Sequence, residues 1–216
     1  MEKGYVAKGE QEERVLRIGS ERRTSSLPTP KGAGLPPITK LVFEGGGVKG
    51  VGYVGVAEVL EAEGVMAGVT EVAGASAGAI TALILALGCG AKRVGEIMQG
   101  LDLNSFTDSG RFTVLGKGYD INKNYGVHPG TKFEAWIKEL LVSELKTAEA
   151  ADITFEGLEA LRLSARLNKT LRTPYFIGTN LSTGYYEVFS HLHTSKMKVR
   201  EAVRISMSIP IFFAAK

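Results

Sequence analysis

A serine set between small residues where a strand turns into a helix can serve as a nucleophile, and residues 74–78 read Gly-Ala-Ser-Ala-Gly, a G-x-S-x-G pentapeptide. Thr70–Ala73 before it has strand character, and Ala77–Leu87 after it is an apolar run expected to form a buried helix. Gly74, Ala75, Ala77 and Gly78 would let such an elbow hold strained backbone angles and push the Ser76 hydroxyl outward. The turn also aims a helix N-terminus at the reacting centre, where developing negative charge is stabilised. The competing explanation is a Gly/Ala-rich turn that only packs a helix closely on a sheet.

A second glycine cluster bears on that choice. Ile38–Phe43 reads as a strand, Glu44-Gly45-Gly46-Gly47-Val48-Lys49-Gly50 as a loop, and Val51 to Glu63 as a helix. Three consecutive glycines free the backbone to turn its N–H groups toward one point, which suits a phosphate or the oxyanion of an acyl-transfer intermediate. Successive strand-to-helix turns of a parallel sheet lie at one edge of the molecule, so nucleophile and donors could share one crevice. Gly45, Gly47 and Gly50 also satisfy G-x-G-x-x-G, the dinucleotide fingerprint. That fingerprint wants an acidic residue at the end of the second strand; here the second strand ends in the serine turn, and Glu71 stands at its start. The phosphate-loop pattern fails, since no Lys-Ser or Lys-Thr follows a glycine at the required spacing.

With Gly45-Gly46-Gly47-Val48-Lys49-Gly50, Tyr53, Gly55 and Gly74–Gly78 in this order, the chain resembles the patatin-like phospholipases. Gly178-Thr179-Asn180, Val188-Phe189-Ser190 and Ala202–Pro210 extend the resemblance, which covers about Leu41 to Phe213. It implies a lipid acyl hydrolase with a Ser-Asp dyad and a patatin-like α/β fold. Ser76 would be the nucleophile, and backbone N–H groups of Gly45, Gly46, Gly47 and Val48 the oxyanion hole. Lys49 would lie near the crevice, able to meet a head-group phosphate or carboxylate. This chemistry requires neither a metal nor an organic cofactor; calcium or a protein activator stays open.

One departure stands out. The family's aspartate follows the Ser-x-Ser-x-Pro segment in an Asp-Gly motif, and no Asp-Gly occurs in this sequence. Its aspartates are Asp102, Asp108, Asp120 and Asp152, none at the family position. Without an activating base most of the rate is lost, so an inactive module that binds lipid or a partner is the alternative. A conventional triad in the order Ser, acid, His would draw on His191 or His193, although Ser190-His191-Leu192-His193-Thr194 reads as a polar loop. His128, beside Pro129-Gly130, reads likewise.

The 216 residues suffice for one domain with a substantial core. A net charge of +3 allows attraction to an anionic membrane surface and does not argue for nucleic acid. The expected partners are a membrane lipid substrate and a peripheral membrane surface. Cys89, the single cysteine, excludes an internal disulfide and is expected to be a buried thiol. Residues 1–37 are polar, with a Pro/Gly-rich end, and read as a flexible arm without a secretory signal. A cytoplasmic or peripheral-membrane location, or a signal-independent route of secretion, is expected, and no apolar run is long enough to cross a bilayer.

The body, 38–216, alternates strands and helices, which predicts a three-layer α/β/α arrangement with a mainly parallel central sheet covered on both faces. Ala91 to Gln99 reads as a helix; Leu101 to Gly130 is glycine-rich and irregular and could cap the acyl site. Thr131-Lys132-Phe133-Glu134 reads as a capping box ahead of an apolar stripe. Ile153 to Leu163 reads as a helix, Pro174–Leu181 and Tyr185–Ser190 as a hairpin, and Lys198–Ser206 as a short helix.

Overall fold

The computed structural model describes residues 15–18, 37–101, 126–208 and 211–213. Its main sheet holds five strands in the order β1 (Val15–Ile18), β2 (Lys40–Phe43), β3 (Glu71–Ala75), β5 (Thr173–Thr179) and β6 (Tyr186–Phe189). The first four are parallel; β6 returns antiparallel to β5 through a short hairpin. A second, two-stranded sheet pairs β4 (Gly126–His128) with β7 (Ile211–Phe213). Parallel neighbours need crossovers. Between β2 and β3 the crossover is a 3-10 turn, Gly47–Gly52, leading into α1 (Tyr53–Ala62). After β3 come α2 (Ala77–Ala86), α3 (Ala91–Gln99), α4 (Thr131–Leu145) and α5 (Phe155–Ser164), and α6 (Val199–Ser206) follows β6.

Alternation along the strands assigns the two faces of the sheet. Leu41, Phe43, Val72, Gly74 and Phe176 share one face by register and are buried. Every residue of α2 is buried, so this helix is apolar all round rather than amphipathic. It is the core helix directly behind Ser76, as its composition predicts. Burial of a side chain such as Leu83 or Ile84 contributes about 1.5–3 kcal/mol.

Three buried arginines fix the surrounding connections. Arg172, ahead of β5, donates to the carbonyls of Val69, Leu85 and Met66. Arg200 pairs with Glu134 and Asp152, tying the start of α6 to the start of α4. Arg204 donates to the Pro129 carbonyl at 2.8 Å and to Ser208 Oγ at 2.7 Å. Its guanidinium lies where a side chain on Gly130 would be, 2.3 Å from an added Cβ.

That contact corrects the predicted capping box. The N-cap of α4 is Gly130, with φ +72 and no side-chain cap, and Thr131 is already helical. The close approach of Arg204 requires glycine at the turn, which moves the helix start one residue earlier and leaves Glu134 to meet Arg200. The expected N-terminal arm is also interrupted. Val15-Leu16-Arg17-Ile18 adds an edge strand to β2, as its β-branched and apolar residues favour. Within the irregular stretch, residues 126–128 form β4; residues 102–125, which carry the predicted cap, lie outside the described residues.

Cys89 is buried, as expected. Burial and the neighbouring Glu144 carboxylate, which accepts from Sγ at 3.4 Å, push its thiol up to about 12. For Glu144 itself burial acts upward, but hydrogen bonds from Arg93 and Lys169 outweigh it and hold the carboxyl below its ordinary range. The folded protein therefore keeps the Cys89 proton more tightly than the unfolded chain does. That stabilisation is complete below the ordinary thiol value of 9.0 and is lost as pH rises from there through about 12. Iodoacetamide at about pH 8 should alkylate Cys89 far more slowly in the native protein than in denaturant, because the thiolate is the nucleophile. Equal rates would show an accessible, ionised thiol.

Candidate active site

Ser76 follows β3 directly and is the N-cap of α2, with φ 51 and ψ −124. A non-glycine residue held there costs on the order of 1–3 kcal/mol and persists only where its surroundings over-determine it. The surroundings do so from three sides. First, Gly74 and Gly78 bring strand and helix together without side chains between them. A Cβ on Gly74 would lie 2.2 Å from the Gly78 carbonyl oxygen, and one on Gly78 would lie 2.2 Å from the Phe43 carbonyl oxygen. Second, the Ser76 N–H donates to Ser206 Oγ at 2.9 Å, and the Ser206 hydroxyl donates to the Ile177 carbonyl at 2.6 Å. The end of α6 thus ties the elbow to β5.

Third, the glycine loop leans on the elbow. A Cβ on Gly45 would lie 3.1 Å from Ser76 Cβ and 3.9 Å from its Oγ; one on Gly50 would lie 2.9 Å from Ala77 Cβ. Tyr53, the first residue of α1, packs edge-on against Phe43 and donates its hydroxyl to the Glu44 carbonyl, which anchors the loop's entrance. Within the loop Gly47 takes φ +55, and the Lys49 N–H donates to the Gly46 carbonyl. Among the described residues, the N–H groups of Gly46, Gly47 and Val48 donate to no backbone carbonyl. Such free donors are characteristic of a helical start. Residues 44–49 are exposed, Lys49 with them, while Ser76 is half-buried. The two glycine motifs are thus brought together, with Gly45 and Gly50 committed to contacts with the serine elbow.

The Ser76 hydroxyl points to Met207 Sδ at 3.8 Å, a weak acceptor. Among the described residues no carboxylate or imidazole is within hydrogen-bonding distance of it. Asp152 lies at the end of the 3-10 turn Ala148–Asp152, paired with Arg200 and with Lys198. Arg200 and Ser206 are six residues apart on α6, about 9 Å along its axis, so Asp152 serves the helix end far from the elbow. Asp102, Asp108 and Asp120 lie outside the described residues.

The histidine triad is overturned by topology. Because β6 runs antiparallel, His191 and His193 follow it at the amino edge of the parallel strands, opposite Ser76. His193 Nδ1 bonds Ser190 Oγ at 2.8 Å, and His191 packs against Tyr175. Tyr175 pairs with Ala73, three residues before Ser76 and about 10 Å away along the strand. The His128 side chain lies outside the described residues. Among those described, no group of three or more His, Cys, Asp or Glu side chains is placed to hold a metal ion.

Residues 41–216 match the family described as patatin-like phospholipase. The chain belongs to the patatin-like phospholipase family. It is 32% identical over 183 residues to the uncharacterized protein YqhO of Bacillus subtilis, covering 80% of this chain and 56% of that one. It is 25% identical over 183 residues to the uncharacterized protein R571 of Acanthamoeba polyphaga mimivirus, covering 84% and 55%. The chain therefore spans about half the length of these curated relatives. Among solved structures it resembles VipD of Legionella pneumophila, with TM-score 0.60, 20% identity and coverage of 83% of this chain and 44% of that one. It also resembles a chain of the SpcU–ExoU complex from the type III secretion system of Pseudomonas aeruginosa, with TM-score 0.55, 26% identity and coverage of 81% and 39%. The patatin-like fold, a mainly parallel sheet with helices, is thereby shown.

Ser206 and Met207 are the site residues that the sequence motifs left without a role. The only available signal is the Ser-Met-Ser-Ile-Pro segment at the end of a helix, which does not say what those side chains touch. Replacing Ser206 by Ala should leave the Ser76 N–H and the Ile177 carbonyl unpaired. A stability loss of about 1–3 kcal/mol is expected, with kcat on a soluble ester falling roughly tenfold or more as the elbow relaxes. An unchanged kcat alongside a lowered melting temperature would make the contact merely structural.

Proposed function

We propose that the protein is a lipid acyl hydrolase of the phospholipase A or lysophospholipase type that cleaves carboxylic esters of membrane lipids through an acyl-serine intermediate. The observation that carries this is the strained φ of Ser76 at the head of α2, with the Gly45–Val48 loop against it. In this reading Ser76 Oγ attacks the ester carbonyl. The carbonyl oxygen, now negative, is met by the uncommitted N–H groups of Gly46, Gly47 and Val48 and by the positive end of α2. Each such donor stabilises the transition state by about 3–4 kcal/mol. The lipid alkoxide leaves with a proton, water attacks the acyl-serine, and the fatty acid departs. In this reading the proton acceptor is an aspartate outside this chain, since none of Asp102, Asp108, Asp120 and Asp152 stands at the family position. Lys49 would face the lipid's head group.

A second reading is favoured by one specific observation, the Met207 thioether where a basic partner of Ser76 would stand. In that reading the chain is an inactive patatin-like module that binds lipid or a protein partner. A fluorophosphonate probe separates the two. Labelling of the native protein that is lost in Ser76→Ala supports an activated serine. Labelling no faster than that of free serine supports the inactive module and refutes the hydrolase.

A further inference from the structure

We propose that the hairpin between β5 and β6, together with the glycine loop after β2, forms a docking rim that seats the protein on a phospholipid bilayer with Ser76 at its centre. The inference rests on the lipid-ester reading for its biological sense, but its physical basis is separate. Because β2, β3 and β5 are parallel neighbours, their carboxyl ends emerge on one edge. The glycine loop follows β2, Ser76 follows β3, and the hairpin follows β5. The nucleophile therefore stands between the two protrusions, each about one strand spacing, ~5 Å, to its side.

Both protrusions expose apolar or amphipathic side chains. Val48 is 74% exposed and Val51 54% in the first; Leu181 is 54%, Tyr185 73% and Tyr186 73% exposed in the second. Turns ordinarily place polar residues outward, and scattered single exposed hydrophobics such as Leu192 need no explanation. Five such residues on the two loops that flank Ser76 are a group rather than scattered singles, and exposed apolar groups of this kind serve as interaction surfaces.

The hairpin is built to hold its side chains out. Asn180 Oδ1 accepts from the N–H groups of Ser182 and Thr183, and the Asn180 N–H donates to the Tyr185 carbonyl. The Gly184 N–H donates to the Asn180 carbonyl at φ +73, and Asn180 Nδ2 donates to Glu187. The turn is thus held by bonds within itself, and among the described residues Leu181, Tyr185 and Tyr186 stay exposed. Tyrosine, with an apolar ring and a polar tip, suits the boundary between head groups and acyl chains. Lys49 is exposed on the same edge with no ion-pair partner among the described residues, and its ammonium matches lipid phosphates, with Glu44 and Glu187 the exposed carboxylates of the same two loops. A bilayer fits this combination better than a second copy of the chain, whose own Lys49 would approach the same edge across a two-fold contact.

The test uses the full chain with phosphatidylcholine vesicles, with and without phosphatidylglycerol, in co-sedimentation. Wild type and Ser76→Ala should bind alike, and phosphatidylglycerol should strengthen binding. A Leu181→Ser, Tyr185→Ser, Tyr186→Ser variant should bind at least roughly tenfold more weakly. It should keep wild-type fluorophosphonate labelling and its melting temperature. As an independent reading, Leu181→Trp should shift its emission to shorter wavelength on vesicle addition. Vesicle binding of the triple variant equal to wild type, no binding by wild type, or no shift from Leu181→Trp overturns the rim. So does a triple variant that changes only the oligomeric state, which would assign the surface to a second copy. Vesicle binding by Ser76→Ala separates this outcome from failure of the hydrolase reading, which would appear in labelling alone.

Discussion

Ser76→Ala is expected to abolish fatty-acyl ester turnover, with kcat falling by a factor on the order of 10⁴ to 10⁶. Without the oxygen no acyl-enzyme forms, and among the described residues no neighbouring hydroxyl is placed to substitute, since Ser206 is engaged with the Ser76 N–H and the Ile177 carbonyl. The melting temperature should barely move, because alanine meets the same backbone strain and the lost side-chain contact is a weak one to Met207. Ser76→Gly makes the sharper comparison. Glycine adopts φ 51 freely, so this variant should be as inactive as Ser76→Ala yet more stable by about 1–2 kcal/mol. For a chain of this size that is a rise of several degrees, at roughly 2–4 °C per kcal/mol. Melting curves and release of fatty acid from a mixed-micelle substrate read both quantities. Ester turnover retained by Ser76→Ala would refute the nucleophile assignment; a less stable Ser76→Gly would show that the elbow carries no strain.

The second large effect concerns Gly78. Substitution by alanine places a methyl group 2.2 Å from the Phe43 carbonyl oxygen and 2.6 Å from that of Glu44. Both are backbone atoms of β2 and its loop, so neither can swing aside as a side-chain tip would. Either α2 lifts from the sheet, exposing its buried and largely apolar surface, or the glycine loop moves off Ser76. A loss above about 4 kcal/mol is expected, enough to leave much of the protein unfolded or insoluble. Gly55→Ala is the matched control. Gly55 is an exposed position on α1 where an added Cβ meets nothing within 4 Å, so the same change should stabilise by about 0.5–1 kcal/mol. Circular dichroism and thermal melts of the two variants decide. A normally folded Gly78→Ala would mean that strand and helix are not in close contact at the elbow.

The parts of the site that were legible in the sequence are those whose meaning is local. Ser76 and its glycines lie within five residues, and their small size reports directly on backbone approach. The glycine loop is equally compact, and its pairing with the elbow follows from two successive crossovers in a parallel sheet. Strands β2, β3, β5 and β6 and helices α1, α2, α3, α5 and α6 appear within a few residues of their expected bounds for the same reason, whereas β1, β4 and β7, three or four residues each, were too short to be read from their residues. What escaped depends on distance along the chain. Ser206 meets Ser76 across 130 residues, and a serine at a helix end has many possible meanings until its partner is seen. The capping box at Thr131 was locally sound, but a buried guanidinium from α6 claimed the turn and shifted the helix start to Gly130. The histidines kept their place in the chain order of a triad. Only the reversed direction of β6 removed them from the site, and that direction is set by the Asn180–Gly184 turn rather than by the histidines themselves.

The Ser76–Ser206 bond has a further consequence for how the molecule comes into being. Residues 40–86 form a local β-α-β-α unit that could collapse as soon as it is made, with the elbow already bent. The clasp that fastens the elbow arrives only when α6 has docked, and the three carbonyls gathered by Arg172 likewise wait on residues roughly ninety to a hundred positions downstream. The Ser76 hydroxyl is thus synthesised early and aligned late. A ribosome-bound or clipped intermediate would carry the motif without the alignment, so that the geometry around Ser76 becomes a property of the finished fold rather than of the pentapeptide.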